Sequence, residues 1–254
     1  MTVQSEASLS RLIPVHEVAW EDAGPGLKAK PLWADPATQR RAYVGLIAAG
    51  ASLPLHRHLG DELVYVIEGE VADESGTLMA GQASYRPPGC VHSLFVERGT
   101  IVLNVVTGGT EPAKSTDNEP ASLPINVGQI GWADAGQGVR HKLIWEDVAS
   151  GRSMQLVRFE PGAILPRHRH RGDCLVFGIE GEIADQEGPT LPGYFSYRPD
   201  GHVHSVRARN GATMLYYTWG TTEPADESLS ALASGLAGTI HDRHPARPGR
   251  SARV

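Results

Sequence analysis

The chain has 254 residues, with 23 Lys or Arg against 29 Asp or Glu, so its formal net charge is −6. This acidic balance gives no overall attraction to nucleic acid or anionic membranes, and no run approaches the roughly 18 apolar residues of a membrane span, so neither partner is expected. Only two cysteines occur and the first residues lack a secretory pattern, which excludes a disulfide scaffold and predicts a cytoplasmic protein.

In chain order, short apolar segments alternate with turns rich in Gly and Pro. The predicted strands are residues 41–50, 62–71, 82–89 and 101–106, followed by 153–162, 174–183, 194–201 and 213–219. Many short strands separated by such turns are typical of a β-sandwich or barrel. Residues 225–238 predict one short helix, because acidic residues fall in its first turn, and a basic tail follows it.

The chain repeats itself at a constant offset of 112 residues. Residues 50–92 and 162–204 align without a gap and are identical at 26 of 43 positions. The same offset also relates residues outside this block, for example Trp20 and Trp132. Two copies are too few for a solenoid, so the repeat indicates two tandem domains of one fold.

The domain boundaries follow from this offset. We predict an N-terminal domain at 20–111 and a C-terminal domain at 132–223. Residues 112–131 are predicted to be a linker and the segment that leads into the second domain, because their first half is polar and rich in Pro. Residues 224–254 hold the predicted helix and basic tail.

Histidines of the first repeat have the spacing of metal ligands. His56 and His58 are two residues apart, so they project from one face of a strand. Glu62 begins the next apolar strand, and His92 follows a Pro-Gly turn further on. Such a set suits Fe, Mn, Ni, Cu or Zn rather than Ca or Mg. An isolated H-x-H pair is more often a solvated turn, but its recurrence in the second repeat favours a metal site.

The second repeat keeps three histidines, His168, His170 and His204, but has Cys174 where the first has Glu62. Three interpretations are open. Cys174 is a thiolate ligand, or it stands beside a three-histidine site with open positions, or the site has decayed. Retention of every histidine argues against decay, and we favour the three-histidine site.

Strand alternation extends the predicted site. If Cys174 faces inward, so do Val176 and Gly178, which we predict to line a substrate pocket. Gly178 stands where the first repeat has Val66, so we expect more room beside the second metal. The second repeat is therefore the predicted centre of chemistry.

Other polar residues are weaker candidates. His202 replaces Cys90 of the first repeat and is a candidate general acid or base, although a solvent-exposed turn residue fits equally well. Tyr216 is a second catalytic candidate unless its ring packs in the core. Arg86 and Arg198 recur at the same offset, and we expect a surface or interface role for both.

These residues resemble the two cupin motifs, G-x₅-H-x-H-x₃-E-x₆-G and G-x₅-P-x-G-x₂-H. The first repeat supplies Gly50, His56, His58, Glu62, Gly69, Gly81, Pro87, Gly89 and His92. The second supplies Gly162, His168, His170, Gly181, Gly193, Pro199, Gly201 and His204, with Cys174 in place of the glutamate. The asparagine that often closes the second motif is absent, since Val96 and Ala208 stand there. The chain resembles a bicupin, which implies an all-β fold of two tandem jelly-roll (double-stranded β-helix) barrels.

Within cupins, residues 56–93 are similar to the ChrR-type subgroup, which includes zinc-binding anti-sigma modules and dioxygenases that cleave β-diketones such as acetylacetone. An anti-sigma role would need a helical zinc domain before the first repeat and is not expected, since only 19 residues precede it. The dioxygenases hold Fe(II) with three histidines and no glutamate, which is the pattern of the second repeat.

The resemblance implies an Fe(II) dioxygenase that uses O₂ to cleave a small diketone, hydroxyketone or enolisable aromatic, with Zn, Ni, Mn or Cu as alternative metals. Two other functions stay open. One is an isomerase or cyclase that uses Zn or Ni and no other cofactor, and the other is a non-enzymatic sensor that binds metal or a small molecule. The sequence is also compatible with a homodimer.

Overall fold

The computed structural model describes residues 9–225, and nearly all of its regular structure is β-strand. The strands are β1 Arg11–Pro14, β2 Glu21–Gly24, β3 Leu27–Asp35, β4 Arg40–Ile47, β5 Ser52–His58, β6 Glu62–Glu68, β7 Glu70–Asp73, β8 Gly76–Met79, β9 Ala83–Arg86, β10 Val91–Phe95, β11 Thr100–Thr107, β12 Thr110–Pro112, β13 Leu123–Ile125, β14 Ala133–Gly136, β15 Val139–Asp147, β16 Arg152–Phe159, β17 Ile164–Arg171, β18 Cys174–Gly181, β19 Ile183–Asp185, β20 Gly188–Thr190, β21 Tyr194–Arg198, β22 Val203–Arg207, β23 Ala212–Trp219 and β24 Thr221–Pro224.

Two single turns of 3-10 helix, Val15–Glu17 and Val127–Gln129, stand before the two repeats. The sequence predicts a helix and a basic tail within residues 224–254. Residues 226–254 lie outside the described part of the chain. In the part of the chain that is described, no helix is both long and apolar enough to cross a membrane.

Each repeat forms a jelly roll of two antiparallel sheets, one of seven strands and one of five. In the first repeat the strand orders are β13-β9-β6-β11-β4-β3-β2 and β12-β5-β10-β7-β8. In the second they are β1-β21-β18-β23-β16-β15-β14 and β20-β19-β22-β17-β24. The all-β architecture of two tandem barrels is thereby confirmed.

The central strands of the seven-stranded sheets are buried on both faces, which explains the continuous apolar runs of β6 and β18. In β6, Val64 and Val66 face the interior of the first barrel, while Leu63 and Tyr65 face the second repeat. The second repeat does the same, since Val176 lies inside its barrel. A shared apolar core therefore holds the two barrels together, and each barrel also has a core of its own.

Two short strands are exchanged between the repeats. β1 precedes the first repeat but pairs with β21 of the second, with Arg11 opposite Tyr197. β13 precedes the second repeat but pairs with β9 of the first, with Leu123 opposite Tyr85. Each seven-stranded sheet therefore ends on a strand that comes from the segment before the other repeat, an arrangement that the sequence did not predict.

Candidate metal centres

The first centre lies on the five-stranded sheet of the first repeat. His56 and His58 project from β5, and His92 of the neighbouring strand β10 lies directly opposite His56. The three ring centroids are 4.4–5.1 Å apart, and one ring nitrogen from each lies within 4.8 Å of the others. The two-residue spacing and the strand register thus bring all three imidazoles to one point.

The second centre repeats this geometry. His168 and His170 project from β17, and His204 of β22 lies opposite His168. Their ring centroids are 4.6–5.1 Å apart, and their ligand nitrogens also lie within 4.8 Å of one another. Both clusters suit a divalent metal ion, because imidazole nitrogen is a preferred ligand of such ions.

Hydrogen bonds made by Nδ1 determine which ring nitrogen faces the centre. In four of the six histidines Nδ1 donates to an acceptor 2.7–3.1 Å away, namely the carbonyl oxygens of Pro54, Ser93 and Pro166 and the carboxylate of Asp185. The Nε2 lone pairs therefore point inward. Nε2 of His58 lies 2.8 Å from Nε2 of His92, and the matching pair His170 and His204 is 2.9 Å apart. This is about the separation of two nitrogens bound at right angles to one ion at ~2.0–2.1 Å, so the clusters fit a metal.

Burial keeps four of the six imidazoles neutral and able to bind a cation. Burial lowers the pKa of His92 and of His170 to about 2 and that of His168 to about 4, and it also lowers the pKa of His58. A neutral imidazole keeps the lone pair that a metal needs, so protons compete weakly for these positions.

At the first centre, Glu62 stands beside the histidines but is shared with an arginine. Its Oε2 lies 3.7 Å from Nε2 of His58 and accepts a hydrogen bond of 2.9 Å from Nη1 of Arg86. Nη2 of Arg86 also donates to Asp73 at 3.1 Å. Although burial opposes its charge, these two carboxylates raise the pKa of Arg86. The structure thus places Glu62 next to the cluster as one half of a buried ion pair.

At the second centre, Cys174 stands in place of the glutamate, and Arg198 binds other acceptors than Arg86 does. Nε and Nη2 of Arg198 both donate to Asp185, at 3.0 and 2.7 Å, and Asp185 also accepts from His204. Although burial opposes ionisation, these bonds hold the pKa of Asp185 well below its usual range. Burial raises the pKa of Cys174 to about 12, and its sulfur is not among the converging ligand atoms. This arrangement favours three histidine ligands with a neutral thiol beside them.

The expectation that Arg86 and Arg198 have a surface or interface role is wrong. Each is only 2 % exposed, because both guanidinium groups are enclosed by the acidic residues behind the histidines. Asp73 and Asp185 were not predicted as site residues from the sequence. Their recurrence in Glu-Val-Ala-Asp and Glu-Ile-Ala-Asp, which lie between the second and third histidines of each repeat, was a signal that could have identified them.

Of the residues predicted to line the pocket, Val176 faces the barrel interior as expected, whereas Gly178 does not provide the expected space. Val176 shares the interior core of the second barrel with Cys174, and the Tyr216 side chain packs against that core. Burial raises the pKa of Tyr216, so its phenol stays protonated. Gly178 does not open space beside the metal, because a Cβ there would collide with the carbonyl oxygen of Leu191. The predicted gain of room at this position is therefore wrong.

His202 lies at the edge of the second centre. Its ring centroid is 4.9 Å from that of His204 and 6.2 Å from that of His170. Nδ1 is 2.9 Å from Oγ of Ser10, whereas Nε2 is buried without a hydrogen-bond partner among the described residues. Burial lowers the pKa of His202 to about 4. The ring is thus a neutral polar group with one uncommitted nitrogen.

Two jelly rolls with a three-histidine cluster in each define a bicupin. The ChrR cupin-like domain matches the chain twice, at residues 10–111 and 121–222, and the protein belongs to this family. No curated protein sequence matches the chain.

Solved structures share the fold at low sequence identity. A proposed dioxygenase from Nostoc punctiforme is 12% identical, with a TM-score of 0.73, and the alignment covers 88% of this chain and 84% of that one. A variant of oxalate decarboxylase from Bacillus subtilis is 15% identical, with a TM-score of 0.64 and coverage of 92% and 84%. At this level of identity the likeness establishes the bicupin fold alone.

Proposed function

We propose that the protein is a metal-dependent dioxygenase whose second centre cleaves a small diketone, hydroxyketone or enolisable aromatic with O₂, with Fe(II) as the favoured metal. The observation that carries the proposal is the charge of this centre. Three imidazoles converge there, and Cys174, a protonated thiol, stands where the first centre has the carboxylate of Glu62.

The nearby charges differ by one unit between the centres. At the first, Glu62 and Asp73 against Arg86 leave a net charge of −1. At the second, Asp185 against Arg198 leaves zero. A divalent ion would therefore keep more of its positive charge at the second centre, which favours binding an anionic oxygen such as that of an enolate.

Each residue of the second centre has a role in this proposal. His168, His170 and His204 would hold the ion, and Asp185 fixes the orientation of His204 through its Nδ1. When bound, Fe(II) would supply Lewis acidity toward an enolate oxygen and the redox chemistry that O₂ requires. Val176 would line the apolar side of the pocket.

His202 is the leading catalytic candidate, and Tyr216, whose ring packs against the core of the second barrel, is the weaker one. His202 can exchange a hydrogen bond or a proton with bound substrate through its uncommitted Nε2. This same nitrogen favours the second candidate function, an isomerase or cyclase, because proton transfer at a metal-bound carbonyl needs no O₂. Tyr216 is buried and protonated, so it would act as a hydrogen-bond donor.

The first test is metal content measured by mass spectrometry, on protein purified anaerobically without added metal, followed by oxygen uptake with acetylacetone and related diketones. We expect iron in the wild-type protein. His170→Ala should remove the metal of the second centre and abolish oxygen uptake. The matched variant His58→Ala should remove the metal of the first centre and leave uptake intact.

Other results would redirect the proposal. Oxygen uptake that survives His170→Ala but is lost in His58→Ala would move the chemistry to the first centre. Metal-dependent conversion of a diketone without oxygen uptake would favour the isomerase or cyclase.

A further inference from the structure

The exchanged strand β1 brings the segment before the first repeat to the second centre. Its register with β21 ends next to Arg198, whose Nη1 donates to the carbonyl oxygen of Arg11 at 3.1 Å. The backbone amide of Val15 donates to the carbonyl oxygen of Gly193 at 3.1 Å. Residues 10–15 are therefore held by hydrogen bonds beside the second centre, which belongs to the other repeat.

Within this segment, Ser10 contacts a histidine at the edge of the centre. Its Oγ lies 2.9 Å from Nδ1 of His202, in a partly buried contact between residues 192 positions apart. The other ring nitrogen, Nε2, is buried and has no partner in residues 9–225. One nitrogen of the ring is thus held by the exchanged segment, while the other is uncommitted.

The first repeat shows that this contact is particular to the second centre. Ser122 is the equivalent serine, carried to the first centre by the reciprocal exchange of β13. Its Oγ lies 3.2 Å from Nε of Arg86 and 3.8 Å from Sγ of Cys90. The serine occurs at both centres, but only at the second does it meet an imidazole.

We propose that Ser10 is a positioning residue for His202. In this arrangement Oγ–H donates to Nδ1, so the proton of the neutral ring resides on Nε2. Nε2–H is then available to donate to an oxygen of an anionic substrate at the second centre. The segment that precedes one repeat would thereby set the hydrogen-bonding state of the other repeat's site.

This inference rests on the proposed function for the substrate class but not for the geometry. The geometric part is tested by the nitrogen-15 resonances of the histidine rings in zinc-loaded protein, with the His202 signals assigned by their loss in His202→Asn. We expect one neutral tautomer with the proton on Nε2. Ser10→Ala should shift the Nδ1 resonance downfield as the hydrogen bond is lost, and Ser10→Thr should restore it.

Ser122→Ala is the matched control, since it removes the equivalent hydroxyl from the first centre and should leave the His202 resonances unchanged. Signals of His202 that are identical in wild type and Ser10→Ala would overturn the proposal. A proton on Nδ1 in the wild-type protein would overturn it as well, because Ser10 would then accept rather than donate.

The functional part is tested by titrating cobalt-loaded protein with acetylacetone and following the visible spectrum. Ser10→Ala should weaken binding roughly 3- to 10-fold, the effect of one neutral hydrogen bond, while Ser10→Thr and Ser122→Ala should bind like wild type. Adding Ser10→Ala to His202→Ala should cause no further loss if the two residues act as one unit. A further loss in the double variant would overturn the positioning role. Absence of binding by wild-type protein would refute the diketone class of the proposed function, and the nitrogen resonances would still decide the role of Ser10.

Discussion

Glu62 and Cys174 occupy the same position in their repeats, yet they impose different charges on two centres with the same three-histidine geometry. Arg86 divides its guanidinium between Glu62 and Asp73, whereas Arg198 gives two of its nitrogens to Asp185. The residues behind the histidines are therefore arranged differently in the two centres, while the three histidines of each centre keep the same geometry. The chemistry of each centre should follow this charge.

Cys174→Glu should convert the second centre into a copy of the first. We expect metal to be retained, because the three histidines are unchanged. Acetylacetone should bind at least about tenfold more weakly, since the new carboxylate opposes an anion next to the ion. Binding is measured by the visible spectrum of cobalt-loaded protein.

Cys174→Gln is the control for the previous change, because it adds nearly the same volume without charge. An equal loss of affinity in Cys174→Gln would show that size, not charge, is responsible. Loss of metal in Cys174→Ser would instead make the thiol a ligand.

The buried histidines should also make the metal-free protein sensitive to acid. Burial lowers the pKa of His168 from 6.5 to about 4 in the folded state. Between these values the unfolded imidazole binds a proton that the folded one does not, so stability falls as pH falls. The loss should begin near pH 6.5, be complete near pH 4 and amount to about 3 kcal/mol for this residue. Urea unfolding of chelated protein at several pH values measures it.

His168→Gln should make this pH dependence shallower by up to one proton, because the substituted side chain does not titrate while the other buried histidines still do. His16→Gln, at a side chain that is 69% exposed, is the comparison and should leave the slope as in wild type. Equal slopes in both variants and in wild type would contradict the assignment of the acid sensitivity to burial at the centre.

At the scale of single elements, the exchanged strands are the feature with the clearest consequence. β1 covers one edge of β21 through four residue pairs, so its removal would leave β21 an open edge strand. Deletion of residues 1–14 should therefore increase hydrogen exchange in Tyr194–Arg198. The equivalent strand Ala83–Arg86 is an internal control, because β13 still covers it. Equal exchange in both strands after deletion would mean that β1 contributes nothing to the second sheet.

The sequence predicted most of what lies inside each repeat. The apolar segments at 62–71 and 174–183 became β6 and β18, and the motif spacing brought each set of three histidines together, because alternation and register are local properties. Pairing partners are not local. Nothing in the four residues of Arg11–Pro14 indicates that they join the sheet of the other repeat, and so Ser10 was not recognised.

Two further features could not be predicted from the sequence, namely the burial of two arginines and the close approach of the backbone to Gly178. An arginine is normally exposed, and only the three-dimensional placement of Asp73 and Asp185 explains why Arg86 and Arg198 are buried. Gly178 was interpreted as open space because its alignment partner is larger. The structure shows that the carbonyl of Leu191 already occupies that direction, which no one-dimensional pattern reports.

At the scale of the whole molecule, ion pairs cross between the repeats in a matched way. Arg40 contacts Asp173 at 2.9 Å, and the equivalent Arg152 contacts Asp61. Both aspartates lie in the turns that immediately precede Cys174 and Glu62. The interface is thus built from the same contacts made twice, and each repeat holds the turn beside the other repeat's centre.

This interface predicts that the two barrels unfold together. Phe177 is 5% exposed in the core that the repeats share, and separating the barrels would expose that core to water while breaking both strand exchanges. Calorimetry of the metal-free protein should show one transition whose calorimetric and van't Hoff enthalpies agree. Phe177→Ala should lower its midpoint, with a loss of about 3–5 kcal/mol, and Val66→Ala inside the first barrel should lower the same single midpoint. Two separate transitions, with each variant affecting only one of them, would show that the barrels are independent and that the exchanged strands do not couple them.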